Sequence, residues 1–599
     1  MVKVSDFIVD FLAKQGVTHV FGLTGGAVVH MFDSAARLGK VHPVFTHHEQ
    51  AASFAAEGYA RIHGGLGAVM VTTGPGGTNA ITGLAAAWLD SIPCIFISGQ
   101  VRLGLTGRGY NVRQVGPQHL DIVPIVSSIT KYAVMVDDVR NIKYELQKAV
   151  HIAQTGRPGP VWVDIPLDMQ WSSIEPGELP DYVPTIADEP ARPCCSAIEV
   201  EQVVALLSKA RRPIILAGYG VRLAGAESEF RSMVDRLQVP FLTTWNVADL
   251  IASDHPLNAG RPGIFGQRGA NLAMQNCDLI ISLGSHLSVS LTSMRFRDFA
   301  RDAKVVMVDI DRGELEHRTV RVDLSIQSDA KCFIQQMLER LPAGPLPQMG
   351  AWREKVIEYK SRYNSFPSSW AARDRFVHPY VFMDRLSDEL DGNDIVVVDG
   401  GGTIDQVAFQ AFRVKQGQRF FACVGMGAMG SGLPEAVGAC FGGGGRRTIC
   451  LVGDGSMQLN VQELQTILHH NLPIKIFVLC NDGYTSIRAT QEGFLGGNYV
   501  GSEASGGVSL PDYAKIAKAY GVPAFRIDRH ADLGILREVL ETDGPCLCEI
   551  VSCKEDQPLP RQGFERQPDG TNAPRPLEDM FPYMDRGEFE AAMIVEPVS

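Results

Sequence analysis

The chain has 599 residues, 45% hydrophobic and 20% charged, a balance that fits globular domains and excludes an intrinsically disordered protein. A formal net charge of −12, with no basic run longer than the pairs Arg211–Arg212 and Arg446–Arg447, argues against nucleic acid as a partner. No uncharged apolar run approaches the roughly 20 residues that span a bilayer, so no membrane partner is expected either.

The first segment, MVKVSDFIVDFLAKQG, places Asp6 and Asp10 inside an amphipathic helical pattern and lacks the continuous apolar core of an export signal. The twelve cysteines show no metal-site spacing. Most are expected to be reduced core residues of a cytoplasmic protein.

Apolar strand-like runs then alternate with helical patterns, the signature of parallel sheets covered by helices. The first block contains VTHVFGL, HPVFT, GAVMVTT, CIFISG and VWVDI, and ends in a Pro-rich, acidic stretch from Ser172 to Pro193. The second contains PIILAG, VPFLTT, DLIISLG and KVVMVDI, and ends near LPAGPLPQMG, Leu341 to Gly350. The third contains DIVVVDG, RTICLVGDG, IKIFVLCN and LCEIV. The expected architecture is α/β, with three doubly wound parallel-sheet domains at residues 1–175, 193–342 and 372–555. A Pro- and Arg-rich tail, 556–599, shows little periodicity before DRGEFEAAMI.

In such sheets ligands bind beyond the carboxyl ends of the strands. Four glycine-rich turns fall there: LTGGA (23–27), TTGPGGTN (72–79), DGGGT (399–403) and GDGS (453–456). Glycine lets backbone amides approach a ligand closely. Asp454 ends one apolar run and Asn481 the next, so a carboxylate and a carboxamide stand at neighbouring strand tips. With the Gly483 carbonyl they offer three oxygens to a magnesium ion, which could bridge to a phosphate at the Gly455–Ser456 helix start. NDG (481–483) is also a turn signal by itself. The sequence argues against an EF-hand, because its alternating acidic ligands and terminal glutamate are missing.

The GDG motif followed by Asn481 resembles the cofactor motif of thiamine-diphosphate-dependent enzymes. HPVFTHHEQAASFAAEGYAR (42–61), TTGPGGTNAITGLAAAWLDSIP (72–93) and GMGAMGSGLPEAVGA (425–439) are similar to other segments of that family. The likeness runs to about Cys553 and is greatest to the large catalytic subunit of acetolactate synthases.

The resemblance implies thiamine diphosphate and Mg2+ as cofactors, with Asp454, Asn481 and Gly483 on the metal. Glu49 would hydrogen-bond the aminopyrimidine ring from a low-dielectric pocket and relay its proton. Met429 would prop the bent cofactor, and the Gly427 carbonyl would accept from its amino group. Thr73, Asn79, Gly402, Thr403, Gly455, Ser456 and Tyr484 complete the expected cofactor contacts. Gly26 and Gln118 line the substrate side, and His47, His48 and His119 are further acid–base candidates.

The central block resembles the FAD-binding domain of acetolactate synthases and pyruvate oxidases, with Arg261, Asp309 and Asp311 as possible FAD contacts. The implied reaction is decarboxylation of a 2-oxo acid, pyruvate first, and transfer of the acyl carbanion equivalent to an acceptor carbonyl. Alternatives with the same cofactor are simple decarboxylation, hydrolysis of a cyclic 1,2-diketone and pyruvate oxidation. A noncatalytic nucleotide-binding regulator would be expected to lose Glu49, Asp454 or Asn481, and all three are present. The family places Glu49 and Asp454 of one site on different subunits, which implies a homodimer or homotetramer.

Two positions depart from the family pattern: Pro117 precedes Gln118 in place of a phenylalanine, and Thr490 stands where a tryptophan selects the second substrate. Both point to a larger or different acceptor. The tail resembles those of relatives that use ketone acceptors, and is expected to cap the active-site entrance.

Overall fold

The computed structural model describes residues 1–107, 109–185, 192–316, 319–341, 349–364 and 366–598. Parts of both expected linkers, 186–191 and 342–348, lie outside the described residues. Three six-stranded parallel sheets carry the chain.

The first sheet runs in the order His42–Phe45, His19–Gly22, Gly67–Val71, Cys94–Gln100, Val161–Pro166, Tyr132–Met135. The third runs Arg419–Ala422, Ile395–Val398, Thr448–Gly453, Ile474–Cys480, Cys546–Val551, Ala524–Ile527. Counted along the chain, both read second, first, third, fourth, sixth, fifth. The central sheet differs: Asn258–Gly260, Phe241–Thr243, Pro213–Ala217, Leu279–Leu283, Lys304–Asp309, Leu324–Gln327. That is the dinucleotide-fold order, whose reversal point lies between Pro213–Ala217 and Leu279–Leu283. Inner strands such as Gly67–Val71 and Cys94–Gln100 are buried throughout, as sheets covered on both faces require.

The outer domains join through two equivalent helices, Glu49–His63 and Gly432–Gly442. Small residues let the backbones touch: a Cβ on Gly58 would overlap the Glu435 carbonyl, and one on Gly438 the Ala55 carbonyl. A single apolar core spans the joint, from Tyr59, Phe96 and Trp162 to Val437, Ile476 and Leu547. Buried within it, Arg61 pairs with Glu57 at 2.7 Å and with Asp90. Gly425 N–H donates to Asp90 at 2.9 Å, tying the loop after Arg419–Ala422 to the first domain.

The tail straps the central domain. Gln562 N–H donates to Ile264 O at 2.7 Å, buried Glu578 meets Arg301 and Gln275 at 2.8 Å each, and Tyr359 Oη donates to Ala592 O at 2.5 Å. These contacts tie the tail to the central domain. Toward the third domain the tail sets Phe564 against Phe494, 5.8 Å between centroids, with Gln557 reaching Glu492, Asp556 pairing with Arg373 at 2.6 Å and Leu559 N–H donating to Tyr380 at 2.8 Å. Cys194 and Cys332 form a disulfide with Cα atoms 5.7 Å apart, a pairing the sequence spacing did not suggest; ten cysteines are free. Among the described residues no helix is long and apolar enough to cross a membrane.

Candidate active site

Each outer sheet gathers one cluster at its carboxyl end. In the first domain the strand His42–Phe45 leads into the helix that starts at Glu49. His48 caps that helix, its Nδ1 accepting Gln50 N–H at 3.1 Å. His47 N–H donates to Glu463 of the third domain at 3.0 Å. Glu49 is buried, and its Oε2 accepts from Asn79 Nδ2 at 2.9 Å. Gly76 stands beside it: a Cβ there would lie 3.5 Å from Glu49 Oε1. The Gly25–Gly26–Ala27 turn packs on the same loop, with Ala27 N–H donating to Thr72 Oγ1 at 3.3 Å. Gly26 itself faces open space. Thr73 Oγ1 lies 2.7 Å from Gln100 Oε1 and 3.1 Å from Gln118 O. The Gln118 side chain is exposed on a left-handed backbone, φ 65°. His119 lies next to it, its Nδ1 buried and without a partner among the described residues.

The third domain builds the second cluster. Asp454 closes the strand Thr448–Gly453, and its carboxylate accepts N–H groups from Asn481 (2.9 Å), Gly483 (3.4 Å) and Gly455 (2.8 Å). Burial pushes its carboxyl up to about 6, against the pull of those donors. The Asn481 side chain takes no part: its Oδ1 is buried and unpartnered among the described residues. Thr403 Oγ1, beside Gly402 at φ 94°, is likewise buried without a partner. Buried polar atoms are almost always satisfied, so each of these is free to meet a partner that the described residues do not supply. Gly455 lies under the Tyr484 ring, and any Cβ would collide with it. Ser456 is buried beside it. Met429 lies over Gly401, whose missing Cβ makes room for its side chain. Gly427 has a left-handed backbone, φ 60°.

Two residues essential to this geometry escaped the sequence reading. Asp399, wholly buried, accepts N–H groups from Gly401 (3.1 Å), Gly430 and Gly432 (3.0 Å each), holding the DGGGT and GMGAMG loops together. Arg488 donates to Asp482 O and Thr485 Oγ1 at 2.9 Å and Asn481 O at 2.8 Å, fixing the loop that carries Asn481. Asp399 was in view as the acidic start of a glycine run; nothing local marks Arg488.

At the reversal point of the central sheet lies a crevice of about 560 Å³ that Asp309 and Arg157 line. Burial pushes the Asp309 carboxyl up to about 6, and it accepts Asp311 N–H at 2.9 Å. Asp311 and Glu314 hold Arg157, at 3.1 and 2.7 Å. Arg261 is elsewhere: it lines a neighbouring cavity and donates to Phe412 O at 2.8 Å. The structure thus groups Asp309 with Asp311 and separates Arg261 from them.

Three domain families match the chain in order: the thiamine pyrophosphate enzyme N-terminal binding domain over residues 2–125, the central domain over 200–337 and the C-terminal binding domain over 400–550. The chain is 33% identical to acetolactate synthase 1, chloroplastic, of Zea mays over 93% of its own length and 86% of that protein. It is 33% identical to a protein named probable acetolactate synthase large subunit of Methanocaldococcus jannaschii, over 92% of each. With acetolactate synthase 2, chloroplastic, of Nicotiana tabacum it shares 32% identity over 93% of its length and 83% of the relative.

Proposed function

We propose, for a chain that belongs to the thiamine pyrophosphate enzymes and within them to the acetolactate synthase family, a carboligase that releases carbon dioxide from pyruvate and joins the acyl fragment to a carbonyl acceptor. When bound, the cofactor supplies the electron sink that protein side chains lack. The chain's own residues hold and orient it.

The observation that carries this reading is the unpartnered, buried Asn481 Oδ1 beside Asp454. An amide oxygen, a carboxylate and the Gly483 carbonyl are hard donors of the kind magnesium takes together with phosphate oxygens. Thr403 Oγ1 and the chain around Gly455 and Ser456 fit a phosphate. Met429, Gly427 and Tyr484 would shape the ring side. Glu49, steadied by Asn79, would hold and move a proton at the ring nitrogen. Gly26 and Gln118 would face the substrate, and the exposed Thr490 leaves room for an acceptor larger than a small 2-oxo acid.

We further assign FAD to the central crevice, supported by the strand order and by Asp309. Arg261 has no part in that crevice. Because the Glu49 and Asp454 clusters belong to separate domains, a homodimer or homotetramer pairing them across subunits suits this reading, as does a cytoplasmic setting.

The deciding experiment supplies thiamine pyrophosphate, magnesium and pyruvate, and identifies products by mass. Acetolactate or acetoin with carbon dioxide is expected. Acetaldehyde alone, or acetyl phosphate or acetate with an electron acceptor, would replace carboligation with decarboxylation or oxidation. No carbon dioxide with cofactor bound would rule out pyruvate and direct attention to cyclic diketones. A yellow protein with flavin absorption is expected; a colourless preparation of full activity would overturn the FAD assignment.

A further inference from the structure

Beside the flavin crevice lies a larger cavity, about 1030 Å³, where the central domain, the third domain, the connecting helix Gly350–Tyr363 and the tail converge. Six basic side chains and only two acidic ones line it. Three of the cations, Arg261, Arg268 and Lys360, have no carboxylate within ion-pair distance among the described residues. Instead they donate to main-chain carbonyls: Arg261 to Phe412 O at 2.8 Å, Lys360 to Ser253 O at 2.6 Å, Arg268 to Met580 O at 3.1 Å. Burial pulls Arg261 down to about 10 and Lys360 down to about 8. Carbonyl dipoles orient these groups without neutralising them, and a buried charge left without a counter-charge is costly. Of the other three, Arg413 is matched by Asp384 and Asp388 and Arg362 by Glu588, while Lys415 too donates to main-chain carbonyls, Asp388 O at 3.0 Å and Leu390 O.

Aromatic side chains line the same cavity. Phe366 and Trp370 lie parallel, 7° between planes, and Trp370 is backed by His378 at 4.1 Å. Tyr380, also in the lining, accepts Leu559 N–H of the tail at 2.8 Å. Uncompensated cations and braced aromatic rings lining one cavity match a ligand with a polyanionic end and a planar ring. A cavity of this volume holds a nucleotide with room to spare. Base rings stack on such aromatic faces whatever the base, because every base has a π-face.

We propose that this cavity is a second ligand site, for a nucleoside diphosphate or triphosphate, with Lys360 and Arg261 on the phosphates and Trp370 under the base. Because Leu559, Pro560 and Pro582 of the tail close one side, an occupant would brace the tail against both domains.

The test is calorimetric titration of ADP into the enzyme saturated with thiamine pyrophosphate, magnesium and FAD. One ADP per chain is expected, with bound flavin retained. Lys360→Gln removes the charge but keeps a donor for Ser253 O, and should weaken ADP at least tenfold at an unchanged melting temperature. Trp370→Ala should weaken ADP but leave inorganic pyrophosphate unaffected. The absence of ADP binding, release of flavin by ADP, or an ADP affinity insensitive to Lys360→Gln would each overturn the site. Pyrophosphate binding as tightly as ADP would overturn its nucleoside assignment.

Discussion

Glu57 and Glu435, one from each outer domain, bring their carboxyl groups together inside the helix joint, both wholly buried. Glu57 leans on Arg61, whereas neither oxygen of Glu435 has a partner among the described residues. With Asp90 also on Arg61, three carboxyls face one guanidinium there, and Cys423 lies among them. Burial pushes Glu57 from 4.5 up to about 7, against the pull of Arg61, and burial holds Glu435 well above its ordinary range. A raised carboxyl stabilises the fold below its unfolded value and loses that contribution as pH rises through the folded value. The melting temperature should therefore fall between pH 4.5 and about 7. In Glu435→Gln, which cannot ionise, the slope should flatten and stability above pH 7 should increase. A scan at several pH values checks both; identical slopes would show that the joint does not titrate.

The same joint depends on close backbone approach. Gly438→Ala puts a methyl group into the Ala55 carbonyl, which belongs to a helix pinned by its own core. Overpacking of this kind costs about 1–3 kcal/mol or more. Denaturant unfolding should register that loss, while Gly444→Ala, where an added Cβ meets nothing within 4 Å but φ is +66°, should register only backbone strain.

Glu49→Gln keeps the shape and the contact to Asn79 but removes the acid. Turnover should drop by about 10²–10⁴-fold, the usual share of a positioned proton-transfer group. Cofactor affinity, read by titration, should change far less. Full activity in this variant would remove Glu49 from the proton relay.

Asn481→Leu separates metal binding from folding. The wild-type Oδ1 is buried and unsatisfied, so its replacement should leave the cofactor-free protein at least as stable. Magnesium-dependent binding of thiamine pyrophosphate should weaken by at least the about 10–100-fold seen when a metal's supporting groups are disturbed. Chelation with EDTA should reproduce that loss in the wild type. Unweakened binding would mean the side chain holds no metal.

Deleting residues 560–599 removes Leu577, Glu578 and Met580, all buried against the central domain. A lower melting temperature is expected, with turnover or acceptor choice altered through the lost Phe564–Phe494 contact. If both stay the same, the tail is neither strap nor cap.

By itself, the sequence determined the fold class, the three sheets and the two residue clusters. Long apolar runs ending in glycine and a polar residue read as buried parallel strands with open carboxyl ends, and Asp454 and Asn481 stand at such ends, with Glu49 on the helix that follows another strand. It missed every edge strand but His42–Phe45, namely Tyr132–Met135, Asn258–Gly260, Leu324–Gln327, Arg419–Ala422 and Ala524–Ile527. An edge strand pairs on one side only and several of these are half-exposed, so their composition is mixed and their pattern short. Only the tertiary structure could show Asp399 clasping two glycine loops, Arg488 fixing the Asn481 loop, Arg261 turned away from the crevice that Asp309 lines, and Cys194 beside Cys332. Each joins segments far apart in the chain, and periodicity carries no information about which distant segments a fold brings together.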